Sequence, residues 1–349
     1  MLIRGEVSIM EKNIYAPILI PTLCRDEHFV RCVESLKENT WAKYTDVYIA
    51  LDYPVKEEHW NGYEKICEYL KGNFSEFASM NVIKRPYNYG SNKNMRELRN
   101  DIFKKYDRFI RADDDCEFSK NFLEYMDKCL DVYENDESVL GVTGYSYPLK
   151  WNVDEKYNAM KNSLIFPMWG TGFWKEKYIT MQQDIEGGYI RNFEGKLRYL
   201  KRKMTNARYL NYINGKFDYR KESLTMVATD LACGCYMQLT NKFIITPVIS
   251  KVRNWGFDGT GEFCQNIELK NKFNYRKQEI DKLNYFNPVV DEKSDFKLNK
   301  KIIDEFDYRT NKQIYISEIR FYLKKFLMKI WGKEKYLKNF NKRTKSKNG

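Results

Sequence analysis

Histidine is nearly absent from this sequence, which contains only His28 and His59. Histidine-based zinc sites and Ser-His-Asp triads are therefore nearly excluded. The eight cysteines are scattered, and the only close pair, Cys233 and Cys235, lacks the spacing of a zinc site. In a chain of this length without a secretory leader, we expect reduced thiols that are mostly buried.

Long apolar runs are also missing. No run reaches the roughly eighteen apolar residues that a membrane-spanning helix requires, so none is expected. The first residues carry Arg4, Glu6, Glu11 and Lys12 without a continuous apolar stretch, which is not the pattern of a signal peptide. Apolar residues still make up 43% of the chain and aromatic residues 16%. This composition predicts a folded globular protein.

Positive charge is concentrated in two segments. The formal net charge is +12, while residues 191–221 alone carry +8 and residues 317–347 carry +9. The rest of the chain is therefore mildly acidic, which argues against one continuous basic face for nucleic acid. The distribution favours local contacts with anionic lipid or phosphate.

Short apolar runs alternate with helical patterns through about residue 135. The predicted strands are Ala16–Leu23, Asp46–Asp52, Asn81–Arg85 and Arg108–Arg111, and the predicted helices are Phe29–Glu38, Trp60–Leu70, Lys93–Lys105 and Ser119–Tyr133. This alternation predicts an α/β fold with a Rossmann-like mixed sheet flanked by helices. Further strands are expected at Val139–Tyr145 and Lys242–Ile249, with a polar loop at 151–162 and a helical basic insertion at 191–221.

Carboxylates follow two of these strands, at Asp52 and at the triplet Asp113–Asp115. Ligands of open parallel sheets bind at the carboxyl ends of the strands. Adjacent carboxylates repel one another, and hard cations such as Mg²⁺ and Mn²⁺ relieve the repulsion by taking carboxylate and phosphate oxygens as ligands. The triplet therefore indicates a metal–diphosphate site. The alternative is a solvated acidic turn before the next helix.

Three later segments are also candidates for a site. The aromatic run Leu164–Trp174 contains two glycines and is either a shaped loop near a ligand or a buried strand and turn. Asp230 has apolar neighbours in the sequence, where an acid is costly unless it is paired or functional. The glycine-rich segment Arg253–Gly261 is either a lid over a ligand or a surface loop.

The C-terminal segment 317–338 combines an apolar stripe, which includes Trp331, with many lysines. This is the pattern of an interfacial helix on an anionic membrane. The alternative is a helix docked on the body of the protein with solvated lysines. The interfacial reading predicts a cytoplasmic protein that is peripherally associated with the inner face of the membrane.

In this order, the motifs resemble nucleotide-sugar glycosyltransferases of the GT-A fold. The opening Ile18–Arg25 with Val30–Leu36 is similar to N-acetylglucosaminyltransferase I-like enzymes, and Arg111–Asp115 matches the DxD position. Other segments look like bacterial family 2 polysaccharide glycosyltransferases, in which an acid precedes a proline by about the spacing of Asp230 and Pro247. These segments are Trp169–Gly172, Thr229–Asp230 and Asn254–Gly261. The resemblance covers roughly residues 16–265 and leaves out the basic insertion and the C-terminal helix.

The resemblance implies roles for individual residues. Asp115 would hold Mn²⁺ or Mg²⁺, Asp113 would face the nucleotide, Asp114 would contribute least, and Asp230 would be the general base. The other implied donor-binding residues are Thr22, Arg25, Asp52, Asn88 and Lys93. The implied acceptor or lid residues are Trp169, Gly170, Trp255 and Asp258.

The implied activity is an inverting, metal-dependent transfer of a hexosyl or N-acetylhexosaminyl group from a nucleotide donor, most readily a UDP-sugar. The acceptor would be a hydroxyl of a glycan, which in one form of this hypothesis is linked to a lipid. The reaction would belong to bacterial surface polysaccharide synthesis. No nucleic-acid partner is expected. Two alternatives stay open: a sugar nucleotidyltransferase, although Thr22–Arg25 lacks the usual glycine, and a non-catalytic glycan- or lipid-binding module.

The predicted organisation has three parts. An N-terminal extension spans 1–15, a GT-A catalytic domain spans 16–265, and a C-terminal extension spans 266–349 with the basic helix. Within the catalytic domain, 16–135 is the expected nucleotide-binding half, and 136–265 is the expected acceptor half.

Overall fold

The computed structural model describes residues 15–148, 151, 153–187, 217–218, 223–224, 229–260, 278–293 and 311–332. The chain divides into two compact units. The first comprises Met1–Asn162, Pro167–Ile179 and Phe243–Asp295, and the second comprises Ser163–Phe166, Thr180–Lys242 and Phe296–Gly349. The domain boundaries expected from the sequence stay a prediction.

The described residues form both strands and helices. The strands are β1 Ile18–Thr22, β2 Asp46–Leu51, β3 Ser79–Lys84, β4 Arg108–Arg111, β5 Cys116–Phe118, β6 Val139–Thr143, β7 Ala159–Asn162, β8 Thr171–Trp174, β9 Phe217–Asp218, β10 Ser223–Leu224, β11 Phe243–Pro247, β12 Val252–Asn254 and β13 Val290–Asp291. The helices are α1 Asp26–Lys37, α2 Glu57–Tyr69, α3 Ser91–Ile102, α4 Phe122–Val132, α5 Lys175–Gly187, α6 Asp230–Thr240 and α7 Asn311–Trp331, with a 3-10 turn at Ala42–Tyr44.

A nine-stranded mixed sheet organises the first unit, with the order β13-β7-β11-β6-β8-β4-β1-β2-β3. Strands β3, β2, β1 and β4 run parallel to one another. Strand β8 is antiparallel to both β4 and β6, and β7 is antiparallel to β11. This arrangement confirms the predicted mixed α/β sheet flanked by helices, and it is consistent with a GT-A fold.

The first strand and the first helix form as their sequence patterns predict. The residues Ile18, Leu19 and Ile20 of β1 are fully buried, because an inner parallel strand is covered on both faces. Helix α1 buries an apolar stripe at intervals of three and four residues, as an amphipathic helix does. The stripe consists of Phe29, Cys32, Val33 and Leu36.

Four expectations from the sequence need correction. The segment 151–162 is not wholly a loop, because Ala159–Asn162 pairs with β11 as strand β7. The helix expected from Ser119 begins only at Phe122, and β5 precedes it. Part of the glycine-rich segment 253–261 is extended, since β12 pairs with β5. These short strands form through pairing with distant segments, which local patterns do not reveal.

The fourth correction concerns the C-terminal helix. Helix α7 spans Asn311–Trp331 and thus begins before the predicted start at 317. Residues 333–338 of the prediction lie outside the described residues. The predicted helical insertion 191–221 also lies outside them, apart from Phe217–Asp218, which form a strand instead of a helix.

Two predictions from composition hold within the described residues. All seven cysteines of this part are free thiols, and five of them are buried. No helix of the described part is both long and apolar enough to cross a bilayer.

A buried carboxylate, Asp127 in α4, is only 1% exposed. Its Oδ1 accepts a hydrogen bond from the Ala16 backbone N–H at 2.8 Å, while Oδ2 has no partner among the described residues. Burial raises the pKa of Asp127 to about 7, although the Ala16 N–H and the nearby Arg108 oppose the shift. The folded state therefore keeps the Asp127 carboxyl protonated up to about pH 7.

We expect Asp127 to make the protein less stable as the pH rises. The pKa of this carboxyl is near 3.9 in the unfolded chain and about 7 in the folded chain. The free energy of unfolding therefore falls as the pH rises between these two values, because the unfolded chain loses the proton more readily. From pH 5 to pH 8, the loss from this one group is about 2 to 3 kcal/mol. In urea unfolding, the free energy of unfolding of Asp127→Asn should fall less between pH 5 and pH 8 than that of the wild type. The exposed Asp101→Asn should behave as the wild type, and identical slopes for Asp127→Asn and wild type would contradict the assignment.

Candidate active site

The carboxyl ends of β1, β2 and β4 meet at one edge of the sheet, because these strands are parallel neighbours. Thr22 ends β1, Asp52 follows β2, and the triplet Asp113–Asp115 follows β4. The backbone N–H of Asp52 donates to the Thr22 carbonyl at 2.9 Å, which joins the first two ends. Residues far apart in the sequence are thus brought together at this edge.

Within the triplet, Asp114 and Asp115 are buried, whereas Asp113 is partly exposed. Arg25 lies just after β1 and contacts both buried carboxylates. Its Nη1 donates to Asp115 Oδ2 at 2.9 Å, and its Nη2 forms an ion pair with Asp114 Oδ1. The Thr22 hydroxyl donates to Asp114 Oδ2 at 2.8 Å. Asp114, expected to contribute least, therefore has two charged or polar partners.

The charges of this cluster are only partly compensated. Burial raises the pKa of Asp115 to about 7, Arg25 opposes the shift, and Asp113 and Asp114 add to it. For Arg25, the two carboxylates raise the pKa above its usual value even though burial lowers it. The guanidinium therefore stays charged, and this one positive charge balances only one of the two carboxylates when both are ionised.

The strand β12 and the loop after it pack directly on Asp115. The Trp255 N–H donates to the Asp115 carbonyl at 2.8 Å, and the Asn254 Nδ2 lies 3.3 Å from Asp115 Oδ1. A Cβ at Gly256 would lie 2.1 Å from Asp115 Oδ2. Only glycine leaves room for the carboxylate at this position.

The same loop is attached to α1. The Asp258 carboxylate lies 2.8 Å from His28 Nε2, and the indole of Trp255 stacks with Arg31, whose Cζ is 4.5 Å from the ring centroid. Bonds from Thr260 and His28 lower the pKa of Asp258 to about 2, although burial opposes this shift. The loop therefore lies against both α1 and the triplet, and its role as a lid stays a prediction.

Asp52 has a different environment from the triplet. Its carboxylate accepts backbone N–H bonds from Tyr53, Tyr89 and Gly90 at 2.9, 2.7 and 2.8 Å. Asn88 donates to the Tyr53 carbonyl at 2.7 Å, which fastens the same two loops together. In this structure, Asp52 and Asn88 therefore hold the loop before α3 against the end of β2.

The remaining donor and lid candidates surround these two clusters. The Lys93 ammonium lies 4.1 Å from the ring centroid of Tyr89, beside the loop that Asp52 holds. The Trp169 ring packs edge-on against Phe257 of the loop 254–260, with 5.6 Å between the ring centroids. Gly170 has a φ of 57°, and a Cβ there would lie 2.7 Å from Val252 Cγ2, so its backbone packs closely on β12.

Asp230 belongs to the second unit and is the first residue of α6. The prediction that it lies in apolar surroundings is wrong, because its side chain is exposed. Thr229 caps the helix by accepting a hydrogen bond from the Ala232 N–H at 3.4 Å. The positive end of the helix dipole favours a carboxylate in the first turn.

The triplet has the donor chemistry of a hard cation site. Among the described residues, no group of three or more histidine, cysteine or acidic side chains is arranged to hold a metal by itself. Mg²⁺, however, is usually bound by one or two carboxylates together with substrate phosphates and waters. The two buried carboxylates share a single guanidinium, and this partial balance of charge fits a cation of this kind.

Several contacts of the site were not predicted from the sequence. Asn254 reaches Asp115, and His28 reaches Asp258 across 230 positions of the chain. Glu117 accepts a hydrogen bond from the Trp255 indole at 2.6 Å. A single asparagine between Arg253 and Trp255, or a single histidine, gives no local signal that would have identified these partners.

No protein-family model matches the sequence, and no curated protein matches it. Solved structures do match in part. TarS 1-349 of S. aureus in complex with UDP matches with 14% identity and a TM-score of 0.35, and the match covers 54% of each chain. The mannosyltransferase PcManGT from Pyrobaculum calidifontis, in complex with GDP-Man and Mn²⁺, matches with 10% identity and a TM-score of 0.33.

The match to PcManGT covers 70% of this chain and 60% of that one. A further structure, TarS 1-349 in complex with UDP-GlcNAc, has a TM-score of 0.34 at 14% identity and covers 49% of this chain and 47% of that one. The chain thus spans about half of the TarS 1-349 structures. These solved structures are of glycosyltransferases.

We expect Gly256→Ala to disturb the site through Asp115. The added methyl group would overlap the carboxylate, and forced overpacking typically costs about 1 to 3 kcal/mol. Urea unfolding should show this loss. Gly187→Ala is the matched control, since nothing lies within 4 Å of a Cβ at that position. Equal stability of the two variants would show that the loop does not pack on Asp115 as described.

Proposed function

We propose that this protein is a metal-dependent, inverting glycosyltransferase. It would transfer a hexosyl or N-acetylhexosaminyl group from a nucleoside diphosphate, most readily UDP, to a glycan hydroxyl. The observation that carries the proposal is the pair of buried carboxylates, Asp114 and Asp115, at an edge where three parallel strands end. Two buried carboxylates that share a single guanidinium favour the binding of a further cation. A nucleotide diphosphate binds together with such a cation.

Each residue of the cluster has a task in this proposal. Asp115 would hold Mn²⁺ or Mg²⁺, which when bound neutralises the leaving diphosphate. Arg25 is long and partly exposed, so it can reach an anion at the same edge. Asp113, the partly exposed member of the triplet, would face the nucleotide. The loop 254–260 would exclude water from this edge, since it already lies against α1.

Asp52, Asn88 and Lys93 would act on the nucleoside side. Asp52 fixes the backbone of Tyr89 and Gly90 through two hydrogen bonds, so it shapes the loop that opens α3. Lys93 in the first turn of α3 adds a positive charge beside this loop. Trp169 and Gly170, which contact the lid loop and β12, would shape the acceptor side.

Asp230 is the proposed general base. In this proposal its carboxylate, on an exposed residue at the start of α6, would take a proton from the acceptor hydroxyl. A single base without a separate nucleophile implies a direct displacement, which inverts the anomeric carbon. The acceptor in this proposal is a lipid-linked glycan of bacterial surface polysaccharide synthesis.

Two variants separate donor binding from base catalysis. With Asp115→Asn, we expect UDP binding in the presence of Mn²⁺ to weaken at least tenfold in isothermal titration. With Asp230→Asn, we expect binding to stay within about twofold while transfer falls by about 10² or more, the usual range for a general base. The donor sugar is first identified by screening nucleotide sugars for hydrolysis.

The outcomes also distinguish other functions. Wild-type protein that binds no UDP with Mn²⁺ would favour a non-catalytic module. Formation of a nucleotide sugar from a sugar phosphate and UTP would identify a nucleotidyltransferase instead. Normal transfer by a folded Asp230→Asn variant would remove Asp230 from the role of base.

We also propose that α7 binds an anionic membrane surface at the inner face of the cytoplasmic membrane. Large apolar side chains at intervals of three and four residues are exposed on this helix, among them Leu323 at 54%, Phe326 at 60% and Ile330 at 57%. The segment 317–347 carries a net charge of +9. Two copies of so cationic a segment repel each other, so an anionic lipid surface suits the helix better than a second copy.

Vesicle sedimentation tests this membrane contact. We expect the full chain to bind vesicles that contain phosphatidylglycerol and to be released by high salt. Truncation after Thr310, or Leu323→Ser combined with Phe326→Ser, should abolish binding. Val55→Ser removes an apolar residue that is 63% exposed elsewhere and is the control. Unchanged binding by the truncated protein would exclude α7 as the membrane contact.

A further inference from the structure

Arg25 occupies the oxygens that a divalent cation would need. It lies at the N-cap of α1, in the loop that follows β1. Its two terminal nitrogens bind one oxygen each of Asp114 and Asp115, so that a single guanidinium bridges two neighbouring carboxylates. The carboxylates are almost fully buried, whereas the Arg25 side chain is 23% exposed.

The other two oxygens of the pair also have donors. Thr22 donates to Asp114 Oδ2 at 2.8 Å, and Asn254 Nδ2 lies 3.3 Å from Asp115 Oδ1. All four carboxylate oxygens therefore contact donor groups. Of these donors, only Arg25 carries a charge, and a dication at the same oxygens would repel it.

We propose that Arg25 is an internal counter-cation that excludes a lone divalent ion and is displaced only when the ion arrives with a diphosphate. This inference rests on the proposed function. A lone ion must separate Arg25 from its two carboxylates and leaves the guanidinium without an anion. A diphosphate supplies that anion at the same edge, because guanidinium binds phosphate as well as carboxylate.

The consequence is a thermodynamic coupling between metal and nucleotide. If the diphosphate makes displacement of Arg25 favourable, each ligand strengthens the binding of the other by the same factor. The protein would then take up the metal–nucleotide complex and would bind neither component well alone. Arg25 thereby determines when the metal site is open.

The experiment is Mn²⁺ titration followed by electron paramagnetic resonance, with and without UDP. For the wild type, we expect UDP to tighten Mn²⁺ binding at least tenfold. For Arg25→Gln, Mn²⁺ alone should bind at least tenfold more tightly than to the wild type, and the effect of UDP should shrink. Arg96→Gln changes the same charge at an exposed residue and should match the wild type.

A second variant separates the charge of Arg25 from the planar shape of its guanidinium. Arg25→Lys keeps the positive charge but lacks the two terminal nitrogens that bind both carboxylates at once. It should bind Mn²⁺ alone with an affinity between those of the wild type and Arg25→Gln.

The outcomes separate this inference from the proposed function. If the wild type binds Mn²⁺ with UDP but Arg25→Gln binds Mn²⁺ alone no more tightly, the counter-cation role is wrong and the proposed function stands. If the wild type binds no UDP with Mn²⁺, the proposed function fails and this inference fails with it. Equal Mn²⁺ affinity of the wild type with and without UDP would also overturn the inference.

Discussion

The negative charge of two buried, adjacent carboxylates governs the structure around the sheet edge. Asp114 and Asp115 repel each other, and burial removes the water that would screen them. Arg25 supplies a cation, while Thr22 and Asn254 supply neutral donors. A charged pair in this position is costly for stability unless every oxygen is satisfied, and here all four carboxylate oxygens contact donor groups.

This constraint also explains the loops on both sides of the triplet. Gly256 is required because any side chain would overlap the Asp115 carboxylate. Asp52 organises the neighbouring loop through the backbone N–H bonds of Tyr89 and Gly90. In the proposed function, the triplet would hold the cation with its diphosphate, and the loop held by Asp52 would face the nucleoside. The closed position of the 254–260 loop follows from Trp255 and from the pair of His28 with Asp258.

The sequence predicted the first four strands and their helices because inner parallel strands are continuous apolar runs. Strands β5, β7 and β12 were missed or misplaced, since three or four residues become a strand only through pairing with a distant segment. The triplet was identified because three acids together are conspicuous. Its partner Asn254 and the contact of His28 with Asp258 depend on long-range geometry, and the exposure of Asp230 contradicts what its apolar sequence neighbours suggested.

In the proposed function, Asp115 and a nucleotide diphosphate share one divalent cation at the edge where β1, β2 and β4 end. Anomalous diffraction at the manganese edge, from crystals grown with UDP and Mn²⁺, shows directly whether they do. We expect one manganese peak within coordination distance of an Asp115 oxygen and of a phosphate oxygen, with Arg25 turned away from Asp115. A bound nucleotide without manganese at the triplet, or manganese bound elsewhere, would contradict it.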